Sequence, residues 1–137
     1  MHHRSPTWRR ARRRFLGLSA LCLLPLVAPP AQAEREILGE ELVKLLKGRT
    51  AIGTWNGRSY AQFFGDSGRT AYQEEGAPID WGSWHIADTG RFCSIWPRGG
   101  EGCYRVYKDG DRYLWEAANG GPRHPFVVED GNKVLGN

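Results

Sequence analysis

The 137-residue sequence is poor in the residues that most often carry chemistry, with three cysteines, four histidines and one methionine. Beyond residue 33 only Cys93, Cys103, His85 and His124 remain of the first two types. Zinc sites commonly draw four ligands from two close pairs, and no second pair accompanies the cysteines, which argues against a metal. The cysteines are separated by nine residues, not by the two of a dithiol oxidoreductase. No G-x-S-x-G elbow is present, and no glycine-rich loop opens a helix around a phosphate. The acidic turns Lys108-Asp109-Gly110-Asp111 and Glu129-Asp130-Gly131-Asn132 lack the ligand loop and closing Glu of a calcium site and read as hairpin chemistry. The longest apolar run, Phe15 to Val27, covers 13 residues, against roughly 20 for a membrane-spanning helix. Neither catalytic residues, nor a metal, nor a cofactor follow from the sequence.

The first 33 residues read as a cleavable export signal. A basic opening ends at Arg14, the apolar run follows, and Ala31-Gln32-Ala33 supplies the small-x-small pattern before Glu34. Arg12-Arg13-Arg14-Phe15-Leu16 resembles the twin-arginine export signal, with Ala11 and Gly17 departing from its usual flanks. Cys22 follows Leu21, where a lipoprotein signal has a small residue, so Cys22 is expected to leave with the signal. Expected localisation is the periplasm or the exterior.

Removing that segment changes the charge argument. Six of the 19 basic residues, Arg4, Arg9, Arg10, Arg12, Arg13 and Arg14, precede residue 34, and no acidic residue does. From Glu34 onward 13 basic residues face 15 acidic ones, a formal charge of −2. Nothing in that balance attracts nucleic acid or an anionic membrane. The remaining 104 residues suffice for one domain with a modest core. An even cysteine pair in an exported chain predicts a Cys93–Cys103 disulfide. Closing so short a loop contributes ~2.5–3 kcal/mol in the chain-entropy model.

Turn signals then recur at near-even intervals: Asn56-Gly57, Ser67-Gly68, Gly76-Ala77-Pro78, Thr89-Gly90, Gly99-Gly100, Asp109-Gly110, Asn119-Gly120-Gly121 and Asp130-Gly131. That rhythm predicts short antiparallel strands joined by hairpins. The runs between them are TAIGTW, RSYAQFF, RTAYQ, DWGSWHIA, RFCSIW, CYRVYK, RYLWEA and HPFVV, with KVL as a ninth candidate. One helix precedes them, Gly39 to Gly48, with Leu42, Leu45 and Leu46 on one face and Gly48 as cap. The expected fold is mainly β: an up-and-down antiparallel meander of about eight short strands, barrel or curled sheet, with the N-terminal helix across one end.

The disulfide predicts a register. With Cys93 opposite Cys103, Phe92 opposes Tyr104 and Arg91 opposes Arg105. Phe92, Trp96, Tyr104 and Val106 then share an apolar face, and the cystine shares the other with two arginines. Glu101 and Asp111 are the acidic neighbours expected to balance them. In the run from Asp80 to Ala87, Gly82, Trp84 and Ile86 share one face and Trp81, Ser83 and His85 the other.

Gly53-Thr54-Trp55 with Gly57, the strand carrying Tyr60 and Phe63-Phe64, Gly82-Ser83-Trp84, and Cys93 to Cys103 around Trp96 resemble a family. It is an uncharacterised group of small exported bacterial proteins, a domain of unknown function, and the likeness covers most of Leu38 to Trp115. It implies export and a small β-rich fold, and it lends no catalytic residue. The Gly-x-Trp element with a later cystine is also similar to small periplasmic protease-inhibitor barrels, whose cysteine spacing is longer.

Most of the 14 rings beyond residue 33 are expected in the core. Trp81 and Tyr107 are expected outside, where exposed rings make recognition surfaces. Trp81, His85, Arg105 and Tyr107 are therefore the candidate binding residues. The expected function is non-enzymatic binding of a small ligand or a periplasmic protein through an aromatic face or barrel mouth. Three rival readings are inhibition of an envelope hydrolase or protease, an enzyme assembling His85 with Ser83 or Ser94 and Asp88, and a purely structural or envelope-stress protein.

Overall fold

The computed structural model describes residues 23–29 and 33–134. The basic and twin-arginine residues, Cys22 and most of the Ala31-Gln32-Ala33 triplet lie outside the described residues.

Alternating apolar residues and glycine-bearing hairpins produce a closed antiparallel barrel. Its staves are β2 (Arg49–Trp55), β3 (Arg58–Phe64), β4 (Arg69–Glu74), β5 (Asp80–Ile86), β6 (Phe92–Trp96), β7 (Gly100–Asp109), β8 (Arg112–Ala117) and β9 (His124–Asp130). Each pairs with its sequence neighbour, and β9 returns to β2, with Ala51 opposite Val128. Closure leaves no free edge among these eight strands. The short strand β1 (Arg35–Ile37) adds to β7 beyond the end of β6, placing Ile37 opposite Val106.

Helix α1 (Gly39–Leu46) closes one end of the barrel. Leu42 and Leu46 are fully buried and Leu45 nearly so, beside Ile37 and Phe64. Burial of each leucine contributes about 1.5–3 kcal/mol, more than helix propensity supplies to eight residues. Backbone bonds moor the plug: the Gly39 N–H donates to the Gly90 carbonyl and the Gly48 N–H to that of Phe64, both at 2.8 Å. Gly90 has a positive φ of 81°, and a Cβ there would meet the Gly39 nitrogen at 3.2 Å and Leu38 Cβ at 3.3 Å. That position accepts no larger residue without moving the plug.

The inner layer follows the alternation. Phe64 packs edge-on against Trp84 and Phe92, and Trp115 stacks on Phe126 at 4.5 Å between centroids. Trp84 is satisfied as well as buried, because its indole N–H donates to the Gly65 carbonyl at 3.0 Å.

Three expectations are corrected. The ninth strand is β1, not Lys133-Val134-Leu135. Lys133 and Val134 form no strand, and Leu135 lies outside the described residues. That tail is held by Thr50, whose hydroxyl donates to the Gly131 carbonyl and accepts from the Lys133 N–H. Arg91 precedes β6 and binds Glu36 at 2.8 Å, so it does not confront Arg105. Arg105 stands opposite Glu116 across β7 and β8, but Glu116 binds Arg123 and accepts from Tyr107, and Arg105 Nε is buried without a hydrogen-bond partner. Among the described residues neither Glu101 nor Asp111 is ion-paired with either arginine.

Candidate functional site

Away from the helix the barrel is hollow. A cavity of about 400 Å³ opens at the mouth formed by the end of β2, the end of β4, the β6–β7 turn and the inner face of β7. Gly82, Ser94 and Gly102 occupy inward positions on β5, β6 and β7; Ser94 lines the cavity, while the Trp96 ring lies over Gly82.

Rings form the walls. On one side Tyr60 stacks on Tyr72 at 5.5 Å, and Tyr72 meets Trp96 edge-on at 6.0 Å. On the other, Trp55 packs against His124 at 4.1 Å and meets Tyr104 edge-on at 5.8 Å. Phe92 and Trp115 form the floor, above the layer that packs on α1.

Polar groups are few and mostly fixed. The Trp96 indole donates to the Ser94 hydroxyl at 3.0 Å, and the Gln62 amide donates to the Thr70 hydroxyl at 3.0 Å. The Tyr72 hydroxyl donates to Glu74 at 3.1 Å, and Arg58 binds the second oxygen of the same carboxylate. Burial raises the Tyr72 hydroxyl above the ordinary phenol range, and its bond to the Glu74 carboxylate adds to the shift. Tyr60 is raised chiefly by burial, with Trp115 acting the other way. Its hydroxyl is buried and has no partner of hydrogen-bonding geometry. At the rim stand Asp80 and Arg98, one of each sign, and neither is ion-paired among the described residues. The arrangement suits a flat apolar body between rings, with a polar end at the mouth.

The four residues singled out from sequence lie elsewhere. Trp81 and His85 face outward from β5, opposite in direction to Trp84, and Arg105 and Tyr107 face outward from β7. Strand β6 separates the two pairs. The Arg69 guanidinium covers the Trp81 ring at 4.6 Å, and that of Arg123 covers Tyr107 at 3.9 Å. Tyr107 also donates to Glu116 at 3.0 Å, while Arg123 binds Glu34 and Glu116. His85 stands beside the Cys93–Cys103 disulfide and Glu101. Ser94 points into the lumen, on the other side of the sheet from His85.

The lumen residues Trp55, Tyr60, Tyr72, Trp96 and Tyr104 were all expected as core filler. Alternation marks them as inward and carries no signal that separates a lumen wall from a packed core. Among the described residues no helix is long and apolar enough to cross a membrane, and the two cysteine sulfurs are 2.06 Å apart, at bonding distance. Comparison with family models, curated proteins and solved structures yields no match to this chain.

Proposed function

We propose that the protein is an exported, periplasmic or secreted, non-enzymatic binding protein whose lumen takes one small ligand with a flat apolar body. The observation that carries this reading is the aromatic-walled cavity of about 400 Å³ at the barrel mouth, a volume within the ordinary range for small-molecule sites. Export is supported by the basic and apolar opening of the chain and by the cystine. The outer face supports a protein partner less well, because guanidinium groups already cover the rings of Trp81 and Tyr107.

The test is a fluorescence titration with flat aromatic probes, anilinonaphthalene sulfonate first. Expected is saturable binding of one probe per chain, weakened roughly 2- to 10-fold by Trp96→Ala or Trp55→Ala, each removing a ring contact worth about 0.5–1.5 kcal/mol. Trp81→Ala leaves it unchanged. Loss in Trp81→Ala with retention in both lumen variants moves recognition to the outer face.

A further inference from the structure

On the outside of the barrel, His85, Cys93 and Cys103 are lateral neighbours in one row across β5, β6 and β7. Glu101 lies two residues before Cys103 and so faces the same way. The ligating atoms of His85, Cys93 and Glu101 all lie within 4.8 Å of one another, and Cys103 Sγ is bonded to Cys93 Sγ. While that bond stands, neither sulfur offers a thiolate. We propose that reduction of the Cys93–Cys103 bond converts this row into a site for a thiophilic divalent cation of the zinc class, held by Cys93, Cys103, His85 and Glu101.

The donor set fits such a cation: two thiolates, one imidazole and one carboxylate complete a tetrahedron. Zinc holds its sulfurs at about 2.3 Å, which sets them roughly 3.8 Å from each other. The Cα atoms of Cys93 and Cys103 are 4.1 Å apart, and both side chains leave the same face of the sheet. Side-chain rotation alone then gives the required sulfur separation. His85 is one strand spacing away, about 4.8 Å, and Glu101 reaches diagonally, as cross-strand neighbours do. All three strands are hydrogen-bonded on both sides within the closed barrel, so the ligands are held in position before the cation arrives. His85 and Glu101 are exposed, which gives the ion a route from solvent.

The conversion needs a reductant of the dithiol class. It delivers two electrons and two protons to the sulfur–sulfur bond, leaving two thiols here and one disulfide in the reductant. Binding of the cation then sends one proton from each thiol to solvent, with His85 bound as neutral imidazole and Glu101 as carboxylate. The same two strands are thereby clamped in either redox state, by a covalent bond or by a metal. This inference is independent of the lumen reading, since the row lies on the other side of the sheet.

Cobalt titration of the purified protein, oxidised or reduced with a phosphine under argon, tests it. Expected in the reduced protein alone is one cobalt per chain, with thiolate charge-transfer absorption that zinc abolishes. His85→Ala and Glu101→Gln each weaken binding at least ~10-fold, a ligand costing no less than the partner behind one. Absence of the charge-transfer band, equal binding by oxidised protein, or indifference to both substitutions overturns the proposal. If reduction unfolds the chain, zinc must restore its near-ultraviolet circular dichroism in the wild type and not in His85→Ala; failure to do so overturns it equally.

Discussion

Trp81 and Trp84 stand on opposite sides of one strand, three residues apart, and only Trp84 is inside. Trp84 is 8% exposed and hydrogen-bonded to the Gly65 carbonyl, while Trp81 is 38% exposed beneath Arg69. Trp84→Ala is expected to cost about 3–5 kcal/mol, as for other buried aromatics. Trp81→Ala forfeits an exposed cation–π contact of about 0.5–1 kcal/mol. Urea denaturation of the two variants decides the matter. Equal losses would mean that β5 is buried on both sides.

Arg12 and Arg13 carry the next prediction. Replacing both with Lys preserves charge and removes the arginine pair that resembles a twin-arginine signal. The expected outcome is precursor retained in the cytoplasm, read by immunoblotting of cell fractions. Normal export of that variant would assign the chain to the general secretion route, in which it crosses unfolded. A twin-arginine cargo crosses folded, so the barrel would have to form while Cys93 and Cys103 are still reduced, without the ~2.5–3 kcal/mol of the disulfide.

How far the sequence reached can be judged from single residues. Period-two alternation placed Trp84 and Ile86 inside and His85 outside, because successive side chains of a strand turn to opposite faces and one face of each stave turns inward. The cystine fixed Phe92 opposite Tyr104, as observed. The even turn spacing anticipated the meander, and the leucine spacing anticipated the plug. Arg91 was misplaced because its partner Glu36 comes from β1, a three-residue strand too short to announce itself. The lumen stayed hidden for a different reason. Inward rings such as Trp55 and Trp96 read as core filler in one strand, and they wall a void only when eight strands close around them. The outer row of His85, Cys93, Cys103 and Glu101 was equally hidden, since ligand spacing along the chain says nothing about lateral neighbours.

Tyr60 gives a prediction with a sign. Burial raises its phenol above the ordinary range, so the native state keeps a proton that the unfolded chain releases near pH ~10. Stability is therefore unaffected by this group below about pH 10 and falls as pH rises further, by up to ~1.4 kcal/mol per pH unit. Tyr72 adds to the same alkaline loss. Tyr60→Phe removes a buried hydroxyl that has no hydrogen-bond partner. At pH 7 it should leave stability unchanged or raise it by up to ~1 kcal/mol, and it should flatten the decline above pH 10. Denaturation midpoints measured between pH 7 and 11 test both halves. A loss of stability in Tyr60→Phe at pH 7 would show that the hydroxyl is satisfied after all.

Gly82 ties the fold to the mouth of the lumen. A Cβ at this position would lie 2.5 Å from the Ile95 carbonyl oxygen and 2.7 Å from Cε3 of Trp96. The first contact is backbone of the paired strand β6 and cannot swing aside; the second is a ring that walls the cavity. Gly82→Ala must therefore spread β5 from β6 and displace Trp96, an overpacking cost of about 1–3 kcal/mol. Gly102 is the control. The nearest atoms to a methyl there are side-chain atoms of Tyr104, with the hydroxyl at 3.2 Å, and none is backbone. Gly102→Ala should therefore cost less stability than Gly82→Ala and reduce probe binding by pushing Tyr104, which walls the cavity, whereas Gly82→Ala should lower both melting temperature and binding. Thermal denaturation followed by probe titration separates them. A Gly82→Ala protein that melts like the wild type and still binds would mean that Trp96 does not rest on β5, and that the mouth is walled by another ring.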